Sequence, residues 1–175
     1  IGSVNREQKK IGTPQHLIGE NAPSRARKII HSGDILVSLT RPNLNAVALV
    51  PEQYDNQIAS TGFEVIKVKE EVNSQFIFLL VRTNHFINEI SQLEQGALYP
   101  AAKSSDVQNY TFKLPPLEEQ THIVSQVEKL FAYADNVEQQ VNNALKRVNN
   151  LTQAILAKAF KGELTAEWRE QQQEL

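Results

Sequence analysis

A chain of 175 residues with 41% apolar content is long enough for one compact domain plus an extension. It has no cysteine, which excludes disulfides and thiolate metal sites, and no run of the roughly 18 uncharged apolar residues needed to span a bilayer. Its formal charge of −2 is unevenly spread: residues 1–113 hold 12 basic against 11 acidic groups, residues 114–175 hold 6 against 9. Seven of the basic groups (Arg6, Lys9, Lys10, Arg25, Arg27, Lys28 and Arg41) fall within residues 1–41, against three acidic ones, so a polyanionic partner is favoured there. With no methionine at Ile1 or elsewhere, the natural start is expected to lie upstream. The absence of cysteine and of a signal peptide fits a cytoplasmic protein.

In chain order, residues 1–28 are polar and weakly periodic, which predicts loops with at most one short strand. A basic cluster, residues 23–28, precedes the first clear strand. Gly33-Asp34 signals a turn into a β-rich run at 35–39. Residues 40–45, Thr-Arg-Pro-Asn-Leu-Asn, form a polar loop, and 46–50 reads as the returning strand, closed by Pro51. After a further polar loop, residues 62–68 predict a third strand with Phe63, Val65 and Lys67 on one face. The period then changes. Phe76, Leu79, Leu80, Thr83, Phe86, Ile87 and Ile90 fall on one helical face and predict a single helix over 74–93, ended by Gly96. Residues 97–106 read as a loop carrying Tyr99, Lys103 and Ser104, and residues 110–114 as a short strand.

The last third carries the most regular pattern. Ile123, Val127, Leu130, Ala134, Val137, Val141, Ala144, Val148, Leu151 and Ile155 are spaced alternately four and three residues apart, a heptad repeat over more than four heptads. Pro115 and Pro116 precede the helix, and Glu118 and Glu119 place negative charge on its first turn, where the helix dipole favours it. Lys158 and Lys161 lie in the last turn, and Gly162 follows as a C-terminal stop. A helix over 117–161 would run about 68 Å at about 1.5 Å per residue. That length predicts a projecting helix whose apolar seam meets another long helix. Ala134 and Ala144 allow close approach, and β-branched residues at alternate seam positions favour a two-helix pairing.

Enzyme signatures fail. There is no glycine-rich phosphate loop and no His-Glu-x-x-His helix. The four histidines (His16, His31, His85, His122) have no ligand spacing and read as surface or capping residues. Asp34, Glu64 and Lys67 invite comparison with metal-dependent nucleases. In such a site the Glu and Lys stand two apart on a strand; here they are three apart and point to opposite faces. No catalytic residue and no metal site is predicted.

LPPLEEQTHIV (114–124), the heptad helix and ILAKAFKGELT (155–165) together resemble the conserved regions of type I restriction-modification specificity subunits. GDILVSLTRPNLNAVALVP (33–51) and IASTGFEVI (58–66) resemble their target-recognition domains. The resemblance runs from about Ile1 to Trp168, with its elements in order. It implies an α+β fold: a mixed target-recognition domain at 1–114, a long projecting coiled-coil spacer helix at 115–162, and a tail at 163–175. It implies a non-catalytic subunit that reads one half of a bipartite duplex DNA target. Methyltransferase and restriction (motor) subunits would attach to it and carry the S-adenosylmethionine, ATP and magnesium chemistry. Family members usually have two recognition domains and two antiparallel helices. One of each here implies either a half-size subunit that pairs with a second copy or a fragment of a longer one, a choice the TAEWRE segment (165–170) leaves open. A stand-alone dimeric DNA-binding regulator and a coiled-coil adaptor without a nucleic-acid role are the other two classes.

The contact residues follow from chemistry and placement, not from the resemblance. Arg41, Asn43 and Asn45 suit base edges, because a guanidinium forks onto guanine and an amide onto adenine. Arg25, Arg27 and Lys28 suit phosphates, and Tyr99, Lys103 and Ser104 occupy the second candidate loop. Equally ordinary roles exist: Arg41 as ion-pair partner of Asp34 or Glu64, Asn45 as a turn former, Tyr99 as core. Replacing Arg41 by Ala is expected to weaken DNA binding at one base position by about 1–3 kcal/mol. An even loss across randomised targets would instead identify a phosphate contact.

Overall fold

Ile35, Leu36 and Val37 form an uninterrupted apolar run, the pattern of a strand covered on both faces. The computed structural model, which describes residues 2–91 and 101–173, shows that arrangement. Strand β4 (Ile35–Ser38) is buried throughout and is central to a three-stranded antiparallel sheet of order β5-β4-β7, with β5 at Val47–Leu49 and β7 at Phe63–Ile66. Leu36 lies opposite Ala48 and Val65; Ile35 and Val37 lie opposite Leu49, Val47, Ile66 and Glu64. Period-two alternation therefore gives the sheet two apolar faces.

One face packs against four further strands. Strands β1 (Val4–Asn5) and β2 (Lys10–Ile11) form a small hairpin, and β3 (Ala26–Ile30) pairs antiparallel with β6 (Gln57–Ser60). Val4, Ile30 and Ala59 meet Leu36, Ala48 and Phe63 there. The other face takes helices α1 (Ser74–Leu80), α2 (Asn84–Ser91) and α3 (Ser104–Gln108), which bring Ile77, Phe86, Ile90 and Val107 onto Ile35, Val37 and Val47. Gly33, at φ +87°, makes the tight turn into β4, and its N–H donates to Val50 O at 2.9 Å.

Several expectations need correcting. The helix expected over 74–93 is two helices. The Thr83 hydroxyl donates to Leu80 O at 2.8 Å and accepts from Phe86 N–H at 3.2 Å, so it closes one helix and caps the next. The break re-aims the chain: Ile77 and Val81, outside the predicted face, are buried beside Phe86 and Ile90. Residues 26–30 and 57–60, expected as loops, pair as strands whose outer residues are solvent-exposed, so neither shows an apolar run. The third strand ends at Ile66, and Lys67 is exposed. Residues 110–114 form no strand. Tyr110, Phe112 and Leu114 do alternate, but they line a groove of about 450 Å³ and pair with no ladder. Part of the 97–106 loop is α3; Tyr99 and Gly96 lie outside the described residues.

The long helix, α4, runs Leu117–Phe160. Gly162 stands at φ +76° beyond its end, as expected of a left-handed C-terminal cap. The tail expected from 163 is helical as well: a short turn, Glu163–Thr165, leads into α5, Ala166–Gln173. The chain divides into two compact units, residues 1–125 and 126–175. The first turns of α4 belong to the first unit, where Gln120 and Val124 are buried.

Gln120 is 1% exposed and fully engaged. Its Oε1 accepts from Asn73 N–H at 2.8 Å and its Nε2 donates to Pro115 O at 2.8 Å. Asn73 in turn caps α1, its side chain accepting from the N–H groups of Gln75 and Phe76. Gln120→Leu strands two part-buried backbone groups at about 1–3 kcal/mol each. The expected loss, roughly 2–4 kcal/mol in urea unfolding, contrasts with less than about 0.5 kcal/mol for Thr121→Ala on the exposed side.

Candidate nucleic-acid interface

The turn between β4 and β5 is built on an unusual backbone. Arg41 (φ 51°) and Asn45 (φ 46°) both adopt the left-handed conformation and bracket a single 3₁₀ turn, Pro42–Leu44. Pro42 is buried and anchors the turn, while Arg41 and Asn43 are exposed. Asn45 is one of the few residue types that accept this conformation readily. Its Nδ2 donates to Arg82 O at 3.1 Å, and its own carbonyl accepts from Lys9 Nζ at 2.6 Å. Asn45 thus holds the turn in place, the ordinary role weighed for it above, while Arg41 and Asn43 remain at the surface.

The basic strand divides in two. On β3 the side chains of Ala26, Lys28 and Ile30 turn inward, and Arg27 and Ile29 face solvent. A register shift between Ala26 and Lys28 places Arg27 at a bulge, with its Nε donating to Ser24 O at 2.7 Å. Arg25 is exposed, and its carbonyl accepts from Thr61 N–H at 2.8 Å. Lys28 lies 2.7 Å from the Glu64 carboxylate.

Glu64 is the junction of this part of the molecule. It is 7% exposed, and besides Lys28 it accepts from Gln108 Nε2 at 2.8 Å and from the Ser104 hydroxyl. Burial pushes its carboxyl upward. The hydrogen bonds from Lys28, Gln108 and Ser104, with the Lys28 charge, outweigh that and hold it below the usual carboxylate range. Lys28 and Ser104, both expected at DNA, are thereby brought together around one carboxylate. Lys103 is exposed at the start of α3, where its N–H donates to the Asp106 carboxylate at 2.7 Å. The α3 segment is docked beside the 41–45 turn: Ala102 N–H donates to Leu39 O at 2.8 Å, and Thr40 bridges Ala101. Arg41, Asn43 and Lys103 therefore present from adjoining backbone.

Gln108 and Arg82 went unmarked in sequence, and Glu64 was weighed only in a nuclease-like trio and as an ion-pair partner of Arg41. Glu64 sits in an apolar run, where a lone carboxylate signals a buried partner, but nothing local identifies Lys28, 36 residues away. The nuclease-like trio is further dispersed by contact: Asp34 accepts from His31 N–H at 2.8 Å, while Glu64 is held by Lys28.

A carboxylate held below its ordinary value stabilises the fold above its unfolded pKa and loses that contribution as pH falls through the lower folded value. Stability is therefore expected to fall on acidification below the ordinary 4.5. Glu64→Gln should be less stable at neutral pH and show a flatter dependence in that acid window, read by thermal melts from pH 6 downward.

The chain is similar to known proteins over most of its length. Residues 7–147 match the family described as "Type I restriction modification DNA specificity domain". The chain is 40% identical over 156 residues to the type I restriction enzyme EcoDI specificity subunit of Escherichia coli, covering 89% of this chain and 34% of that protein. It is 62% identical over 85 residues to the StySPI specificity subunit of Salmonella potsdam, covering 49% of this chain and 18% of that one. The crystal structure of an HsdS subunit from Thermoanaerobacter tengcongensis superposes with a TM-score of 0.81 at 40% identity, covering 90% of this chain and 41% of that one. The chain spans about a third of the length of the full-span curated relatives it matches.

Proposed function

Since the chain belongs to the type I restriction-modification DNA specificity family, we propose that it reads one half of a bipartite duplex DNA target for a methylating and cleaving complex. Residues 1–125 carry the recognition surface, with Arg41 and Asn43 toward base edges and Arg25, Arg27 and Lys103 toward phosphates. Lys28, Ser104 and Asn45 act from behind as the scaffold of that surface. Tyr99 keeps the role proposed from sequence. The chain itself is non-catalytic. S-adenosylmethionine, ATP and magnesium act on methyltransferase and restriction subunits that assemble on it.

The observation that carries this function is the seam of α4. From Leu130 onward every seam residue is exposed in the single chain, Leu130 at 66%, Val148 at 61% and Leu151 at 56%. A row of this length, exposed at heptad spacing, fits burial by another helix, from a second copy or from the second half of a longer subunit. Antiparallel pairing would set two recognition surfaces a fixed distance apart, and half-site spacing on DNA follows from such geometry. Beside the seam, Phe131 and Leu145 occupy positions that two-stranded coils usually give to charged residues, and they are 47% and 53% exposed. This wider apolar face suits a bundle of more than two helices and supports docking of a methyltransferase subunit on the same helix.

Leu151→Asp is expected to abolish helix pairing, seen as a shift to monomer in sedimentation, with the fold of residues 1–125 unchanged by circular dichroism. In cells expressing the chain with a cognate methyltransferase subunit, an adenine-methylation map should show a split motif. A palindromic motif means two copies pair; an asymmetric one means a different recognition domain completes the target. An assembled complex that leaves no new methylation would refute a self-sufficient recognition unit.

A further inference from the structure

Both units expose large apolar side chains that the heptad seam does not use. Phe160, Leu164 and Trp168 stand four residues apart at the end of α4 and beyond it, and all three are exposed. Glu163, Glu167 and Glu170 lie among them, against a single base, Arg169, whose guanidinium is held on Gly162 O and the Thr165 hydroxyl. At the other end of the helix Phe112, Leu114 and Leu117 are exposed as well. Phe112 and Leu114 line the groove of about 450 Å³ together with Val68, Val72 and Tyr110. An aromatic chain runs through it: Phe86 meets Tyr110 edge to face at 4.9 Å between ring centres, and Tyr110 stacks on Phe112 at 6.1 Å.

Charge and length say what fits that groove. Among the described residues its charged lining is Lys67 and Lys69, both exposed, and Glu64, which Lys28 already holds. Lys113, between Phe112 and Leu114, is exposed too. The groove is apolar with a positive balance, and the tail is apolar with a negative one. The 44 residues of α4 run about 66 Å at about 1.5 Å each, so Leu117 and Phe160 of one chain stand at opposite ends of it. Antiparallel pairing of the seam with itself, Ile123 against Ile155, brings Leu117 of one copy beside Lys161 of the other and leads Leu164 toward Leu114. The two-fold symmetry of such a pair makes the contact twice.

We propose that Leu164 and Trp168 of one copy dock in the Phe112–Leu114 groove of a second copy, so that each end of the paired α4 helices is closed by the partner's tail. The inference rests on the self-pairing of α4 proposed above and adds a contact that fixes its register. An aromatic side chain of this class brings about 150–250 Å² to burial, and the Trp168 indole extends the chain of Phe86, Tyr110 and Phe112. Glu163, Glu167 and Glu170 meet the opposite charge of Lys67, Lys69 and Lys113. The helix seam alone tolerates a slip of one heptad; a tail seated in a groove does not.

Trp168 is the only tryptophan of the 175-residue chain, so its fluorescence reads the contact directly. In the wild-type dimer its emission is expected to shift to the blue and its quenching by acrylamide to fall. Leu151→Asp, a monomer in sedimentation, should lose both effects. Leu114→Glu should sediment as the wild type does yet expose Trp168; Leu17→Glu, at a similarly exposed leucine outside the groove, should not. Melts verify that each variant folds. Excess Trp168→Phe chain added to Leu114→Glu supplies an intact groove from the partner and should restore the protection. A dimer whose Trp168 is quenched as freely as in Leu151→Asp refutes the docking and leaves the helix pairing standing. Protection that survives Leu114→Glu, or that mixing fails to restore, puts Trp168 elsewhere and refutes it too. A wild-type chain that stays monomeric overturns both the docking and the self-pairing of α4.

Discussion

The globular unit depends on β4 being covered on both faces. A four-residue strand has little intrinsic stability, and it persists here because Leu36 is closed over by one apolar layer and Ile35 with Val37 by another. That double burial determines what the strand's ends can do. At one end Gly33 must turn sharply. At the other, the chain leaves the core at Ser38 and enters the turn that carries Arg41 and Asn43. That turn directly continues a fully buried strand and is anchored by buried Pro42.

Charge is distributed by the same architecture. Glu64 lies on the helix-facing side of β7, where burial would make a lone carboxylate costly. Lys28 from β3 and Gln108 and Ser104 from α3 satisfy it, so one acidic group joins three elements. Lys28 is thereby paired with a carboxylate at half-buried depth, whereas Arg25 and Arg27, just before it in the chain, are exposed.

The second unit obeys a different logic. Its helix makes its backbone hydrogen bonds internally, so it can exist without a neighbouring layer, yet its apolar residues remain in water. The Gly162 cap is secured by Arg169, whose Nη2 donates to Gly162 O at 2.7 Å and whose Nη1 donates to the Thr165 hydroxyl at 3.0 Å. This lock turns the chain into α5 at a defined point and leaves Trp168 exposed at 62% beside Leu164 at 59%. Exposed apolar surface on this scale fits a subunit whose stability is completed by assembly.

Local pattern alone determined a good deal: the helix from Leu117 with its glycine stop, the heptad seam and the strand pair around 35–50. Each depends on interactions between near neighbours in the chain, which periodicity and turn chemistry encode directly. What local pattern could not determine was decided by contacts across many residues. Strands β3 and β6 exist because they pair with each other and cover Leu36, although neither looks apolar. Thr83 breaks a helix whose periodic face ran on unbroken, because its hydroxyl bonds the chain on both sides. At the candidate interface, Arg41 and Asn43 remained outside as their polar turn suggested. Lys28, Ser104 and Asn45 were drawn inward by Glu64, Lys9 and Arg82, partners tens of residues away. Only folding brings such groups together, since a buried charge or amide must find its counterpart wherever the tertiary structure supplies it.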